Sequence, residues 1–193
     1  MSKVMDALLR EHGRIADVLG VLEREVGALA ALKDTDEADY ALMTSAVEYF
    51  AEFPDRRHHP KEDLVFARLK QADPAAAQGV GDLLKNHAAL AQELRAFADA
   101  LRAVMNEAIL PRHEFVEKAR TFIEHQRLHL TMEEIYFFPV AEEKLDQTAW
   151  DALEKEMSTG DDPLIGGAAG ERFEALRRSI TRYAAEARRS AGD

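Results

Sequence analysis

Residues 8–26 read LLREHGRIADVLGVLEREV, and residues 83–104 read LLKNHAALAQELRAFADALRAV. The apolar stripe of the first runs Leu8, His12, Ile15, Leu19, Leu22, Val26, and continues to Leu29. That of the second runs Leu83, His87, Leu90, Leu94, Phe97, Leu101, Val104. The steps alternate between four and three in both, the period of a helix face buried against other helices. In each stripe a histidine stands where a leucine belongs. A polar ring in a bundle core is costly unless something satisfies it. The same intrusion in the same register, twice, predicts a site assembled from two halves.

Each half carries further candidate ligands downstream. HHPKEDLVF at 58–66 follows the first stripe, and HLTMEEIYF at 129–137 follows the second. Aligning His58 with His129 pairs Glu62 with Glu133, Asp63 with Glu134 and Phe66 with Phe137. A spacing of four on a helix puts the histidine and the glutamate on one face, about 6 Å apart along the axis. The spacing alone is a weak signal, because His113 and Glu117 share it. His113 lies about 160° around the helix from His129 and is expected at the surface. The internal repeat, rather than the tetrapeptide, singles out His12, His58, Glu62, His87, His129 and Glu133.

At 193 residues the chain is long enough for a substantial core. Its formal net charge of −11 argues against nucleic acid and anionic membrane as partners. With no cysteine, thiol redox chemistry, disulfides, cysteine-ligated clusters and covalent c-type haem are excluded. No stretch reads as a signal peptide or a membrane span, so a cytoplasmic location is expected.

The pattern predicts an all-α fold, an up-down-up-down four-helix bundle with a short C-terminal helical extension. The expected legs are 3–33, 37–71, 74–107 and 111–145, with DTDEAD as the first linker. The bundle would occupy 1–145. The extension, 146–193, would hold a short helix anchored by Trp150, the turn-rich GDDPLIGG and a helix over 171–189, and would pack on the bundle. The arginines of that last helix read as a solvated face. Pro54 and Pro60 interrupt the second leg. Either the helix breaks and restarts near Pro60, or one distorted helix re-aims His58.

Nitrogen and carboxylate donors without sulfur point to iron or manganese rather than structural zinc. Six side chains suit two ions bridged by Glu62 and Glu133, with two histidines on each and positions left open. Metal binding should stabilise the fold and release protons.

This arrangement resembles the hemerythrin-like family of His-His-Glu cation-binding domains. The likeness spans about residues 4–140 and rests on His12, HHPKED at 58–63, His87 and HLTMEE at 129–134; the tail looks like extensions of bacterial members. It implies a four-helix bundle with an oxo- or hydroxo-bridged non-haem di-iron centre. It also implies His12, His58, His87 and His129 as terminal ligands and Glu62 and Glu133 as bridges. The invertebrate oxygen carriers of the family set two ligand histidines one turn apart on the third helix. Here Leu83 and Ala91 hold those positions, and His125 lies one turn before His129 instead. His125 is therefore the candidate additional ligand, or a donor supporting one. His59, about 100° from His58, is expected beside the ligands or at the surface, near Asp63. Asp63 and Glu134 are expected to face outward, with hydrogen bonding to ligand rings as the alternative. Tyr49 and Tyr136 are expected in the core.

The functional expectation is a di-iron protein, with manganese as an alternative metal, that binds or senses oxygen, nitric oxide or peroxide, or handles iron. The rival readings are a di-iron enzyme reducing peroxide or oxygen and a metal-free scaffold. The Glu-x-x-His of ferritin-type oxidases is absent from the chain. The carboxylates disfavour haem in the bundle.

Overall fold

The computed structural model describes residues 2–31, 39–157, 162, 164 and 172–190. Most of the DTDEAD and GDDPLIGG segments lies outside the described residues. Helices α1 (Lys3–Ala30), α2 (Tyr40–Glu52), α3 (His59–Ala72), α4 (Pro74–Val80), α5 (Leu83–Met105) and α6 (Arg112–Met132) follow one another along the chain. Then come α7 (Phe138–Lys144), α8 (Gln147–Glu156) and α9 (Glu174–Ser190). No strand occurs among the described residues.

Four legs build the bundle. The first is α1. The second is α2 and α3, joined by a π-helical turn at Pro54–His58. The third is α5, and the fourth is α6 and α7, joined by a second π turn at Glu133–Phe137. Each leg packs on the next, and α6 closes the ring against α1. This is the expected up-down-up-down bundle. Short polar caps start the helices: Ser2, Asp39, Asp82 and Asp146 each accept a hydrogen bond from a backbone N–H of the first turn.

The third leg departs from the expected start at Pro74. A separate helix, α4, runs from Pro74 and stops at Gly81, whose φ of 99° is available to glycine and strained for other residues. Asp82 then caps a new helix by accepting from Lys85 N. The Gly-Asp pair is the signal for this break.

The second leg follows the distorted-helix reading. His58 N donates to Phe53 O and His59 N to Pro54 O, both five residues back. An α-turn would drive the Pro60 ring into the carbonyl of Arg56; the wider turn gives it room. The fourth leg repeats the solution, since Phe138 N donates to Glu133 O and Pro139 stands at the offset that Pro60 has from the first π turn. The two wide turns lie on opposite sides of the duplicated motif: one ends at His58, the other begins at Glu133.

The core has two apolar blocks. One contains Ile15, Leu19, Phe50, Phe53, Phe97, Phe115 and Phe122. The other contains Leu8, Val65, Phe66, Leu83, Phe137 and Phe138, with Trp150 and Leu153 from α8. Trp150 therefore anchors the tail, as expected. Phe66 and Phe137, matched by the internal repeat, meet edge to face at 5.9 Å. A polar layer separates the blocks: His12 stands between Leu8 and Ile15, His87 between Leu83 and Leu90.

The C-terminal helix α9 lies along α1 and α2. Phe173 and Leu176 are fully buried in the first block, and the Phe173 ring meets Tyr49 at 6.1 Å. Buried Asp162 bridges α1 and α2. It accepts from Arg14 Nε at 2.5 Å, from the Tyr49 hydroxyl at 3.2 Å and from Leu164 N at 2.9 Å. No helix among the described residues is long and apolar enough to cross a membrane.

Candidate metal centre

The polar layer gathers histidines and glutamates from all four legs. His12 comes from α1, His58 and Glu62 from the second leg, His87 from α5, and His129 and Glu133 from the fourth. All six are buried, as is His59. His59, Glu62, His87 and His129 each present a donor atom, all within 4.8 Å of one another, and so do His12, His58 and Glu62. Glu62 belongs to both groups. Glu133 reaches both as well: its Oε2 lies 3.4 Å from His12 Nε2 and 3.2 Å from His129 Nε2, and its Oε1 lies 3.6 Å from His87 Nε2.

Carboxylates on the outer side fix the ring orientations. His12 Nδ1 donates to Glu134 at 3.0 Å, His58 Nδ1 to Glu11 at 2.8 Å, and His87 Nδ1 to Asp63 at 2.8 Å. A carboxylate only accepts, so each Nδ1 carries hydrogen and each Nε2 is directed to the interior. Lys61 Nζ clamps the other oxygen of Glu11 at 2.6 Å.

His59 corrects the expectation from helical phase. Its ring stacks on His87 with centroids 4.2 Å apart and planes 9° apart, and it meets His129 edge to face at 5.4 Å. An i→i+5 turn rotates the chain less per residue than an α-turn, so His58 and His59 both face inward. The HHP sequence was the available sign, with Pro60 marking a helix that cannot stay regular. Glu11 was also missed; it sits one residue before His12, on the α1 side that meets His58.

His125 goes the other way. The structure does not bring it into either group: Glu93 on α5 accepts its Nδ1 hydrogen at 2.9 Å, and the side chain is 28% exposed. The carboxylate facing it across the helix pair decides its direction. Tyr136 is 55% exposed rather than in the core, because the second π turn shifts the helix phase around it. Tyr49 is buried and His113 exposed, as expected. Asp63 and Glu134 remain partly exposed yet reach the rings.

The donor set fits a cation. The Nε2 atoms of His58, His59, His87 and His129, Glu62 Oε2 and both Glu133 oxygens are buried without a hydrogen-bond partner in the protein. An orphaned buried polar group costs about 1–3 kcal/mol. A shared cation satisfies nitrogen and oxygen lone pairs together.

Without a cation the layer balances itself by protons. Burial works against charge on His12, but the carboxylates of Glu133 and Glu62 push its pKa up to about 10. Burial likewise opposes charge on His87, and Asp63, Glu133 and Glu62 push it up to about 11. Burial would raise Glu62, yet His58 and His12 hold it well below the usual carboxylate range. Burial lowers His59 and His129, favouring the neutral ring that coordinates.

These shifts set a pH dependence. The folded pKa values of His12 and His87 exceed the usual value of 6.5. Their contribution to stability is therefore complete below pH 6.5 and is lost as pH rises toward 10–11. Thermal melts of chelator-treated protein should move to lower temperature across that window. Metal-loaded protein should lack this component, because coordination takes the place of the Nε2 proton.

Residues 3–141 match the family model of the hemerythrin HHE cation-binding domain. No curated protein and no solved structure matches the chain.

Proposed function

The chain belongs to the hemerythrin HHE cation-binding family, and from that premise we propose that its polar layer holds two iron ions and binds a small neutral molecule at them. The convergence of buried, unpartnered Nε2 and carboxylate atoms on one layer carries this reading. His12 and His58 would hold one ion, and His59, His87 and His129 the other. Glu62, common to both groups, and Glu133, within reach of both, would join them. The donor count is then unequal, five on one ion and four on the other.

Nitrogen and oxygen donors without sulfur suit iron, with manganese as the alternative. Bound iron would supply an open coordination position and a change of oxidation state. The protein's own residues do the rest. Glu11, Asp63 and Glu134 orient the rings, and the two apolar blocks flank the layer. Dioxygen, nitric oxide and peroxide are the candidate ligands, in a binding or sensing role. Glu11, Asp63 and Glu134 are each engaged with an imidazole of the cluster.

Metal analysis after reconstitution with ferrous iron and desalting tests this. It should find about two ions per chain, one for each donor group. A folded protein that retains no metal would refute it.

A further inference from the structure

A cavity of about 230 Å³ opens on the face between α5 and α6. Its floor is formed by His129 and Glu133, both members of the polar layer. Its walls include Leu83 and Phe137, buried members of the second apolar block. At its rim stand Leu128 and Met132, 59% and 43% exposed. A larger cavity of about 660 Å³, lined by Arg112, His113 and Glu124 among others, includes no residue of the layer.

We propose that the smaller cavity is the port by which a neutral, apolar diatomic molecule reaches the metal centre, with Leu128 and Met132 setting its width. The proposal rests on the reading that His129 and Glu133 hold metal. Three observations carry it. The cavity joins the surface to two donor residues. Its volume exceeds the ≈ 30 Å³ that one water occupies in the liquid, so it has room for a diatomic without the core opening. Its lining contains no lysine or arginine, and the Glu133 carboxylate lies at its floor. Short of the metal itself, an anion would lose its hydration against leucine, methionine and phenylalanine and meet no lysine or arginine. Dioxygen and nitric oxide lose almost nothing on the same path.

The port also gives His125 a place. It lines the cavity from α6, and its bond to Glu93 ties α6 to α5 beside the opening. The pair holds the two walls at a fixed separation. His125 is thus a positioning residue, not a ligand.

The test uses Leu128→Trp and Met132→Trp, with Ile109→Trp on an exposed site elsewhere as the control. Iron-loaded, anaerobically reduced protein is mixed with dioxygen or nitric oxide in a stopped-flow instrument, and iron content is measured for every variant. Both rim variants should keep parental iron and react on the order of tenfold more slowly with either gas, about 1.4 kcal/mol of added barrier. The control should match the parent. A second measurement needs no metal. Xenon should bind metal-free parent protein and shift the NMR signals of the Leu128 and Met132 methyl groups, and Met132→Trp should abolish binding. Rim variants that react as fast as the parent would overturn the port, as would azide reacting as fast as the gases in the parent. Iron-loaded parent inert to both gases would overturn the ligand reading and the port together. Failure to retain iron, with xenon still bound, would remove the metal reading and leave only an apolar cavity.

Discussion

Glu62→Gln should strip the protein of metal. Glu62 is fully buried and is the one residue shared by both donor groups. Its Oε1 lies 3.1 Å from the Nε2 atoms of His12 and His58, and its Oε2 lies 3.5 Å from His87 Nε2. Glutamine keeps the volume but replaces one oxygen by a donor and removes the charge. A bridging role would need both oxygens, so neither donor group would keep its full set. Removing a residue that merely orients a ligand costs roughly 10–100-fold in metal affinity. Losing the shared ligand should exceed that and leave almost no metal after desalting. Glu11→Gln, which removes only the clamp on His58, should fall within the smaller range. Circular dichroism separates loss of metal from loss of fold. Retention of the parental metal content by Glu62→Gln would remove Glu62 from the centre.

The second large effect lies outside the matched family region. Phe173→Ala should lower stability by about 3–5 kcal/mol, which for a chain of this size means roughly 6–20 °C in melting temperature. Phe173 is fully buried, seated in the same apolar block as Phe53 and Phe122, and faces the Tyr49 ring. Truncation leaves a cavity that the surrounding aromatic rings cannot close. An unchanged melting temperature would show that α9 is an appendage rather than part of the core.

Periodicity shows the legs of this bundle plainly. The stripes through His12 and His87 each name a buried face and the polar break within it, and the repeat locates Glu62 and Glu133. The residues that escaped depend on features periodicity does not encode. His59 and Tyr136 change sides because π turns reset the helical phase near Pro60 and Pro139. His125 is drawn away by Glu93, a partner on another leg that no local pattern reveals. Glu11 matters because α1 meets the second leg there, a fact of packing. Gly81-Asp82 was readable as a break, but the apolar stripe running on from Leu83 masks it.

The layer of imidazoles and carboxylates has an energetic meaning apart from any ligand. It cuts the oily interior into two pieces that share little greasy contact across the divide. In the metal-free chain the pieces are joined by the helices that run through both and by proton-sharing pairs between them. A cation held there would tie the two pieces through one shared set of ligands.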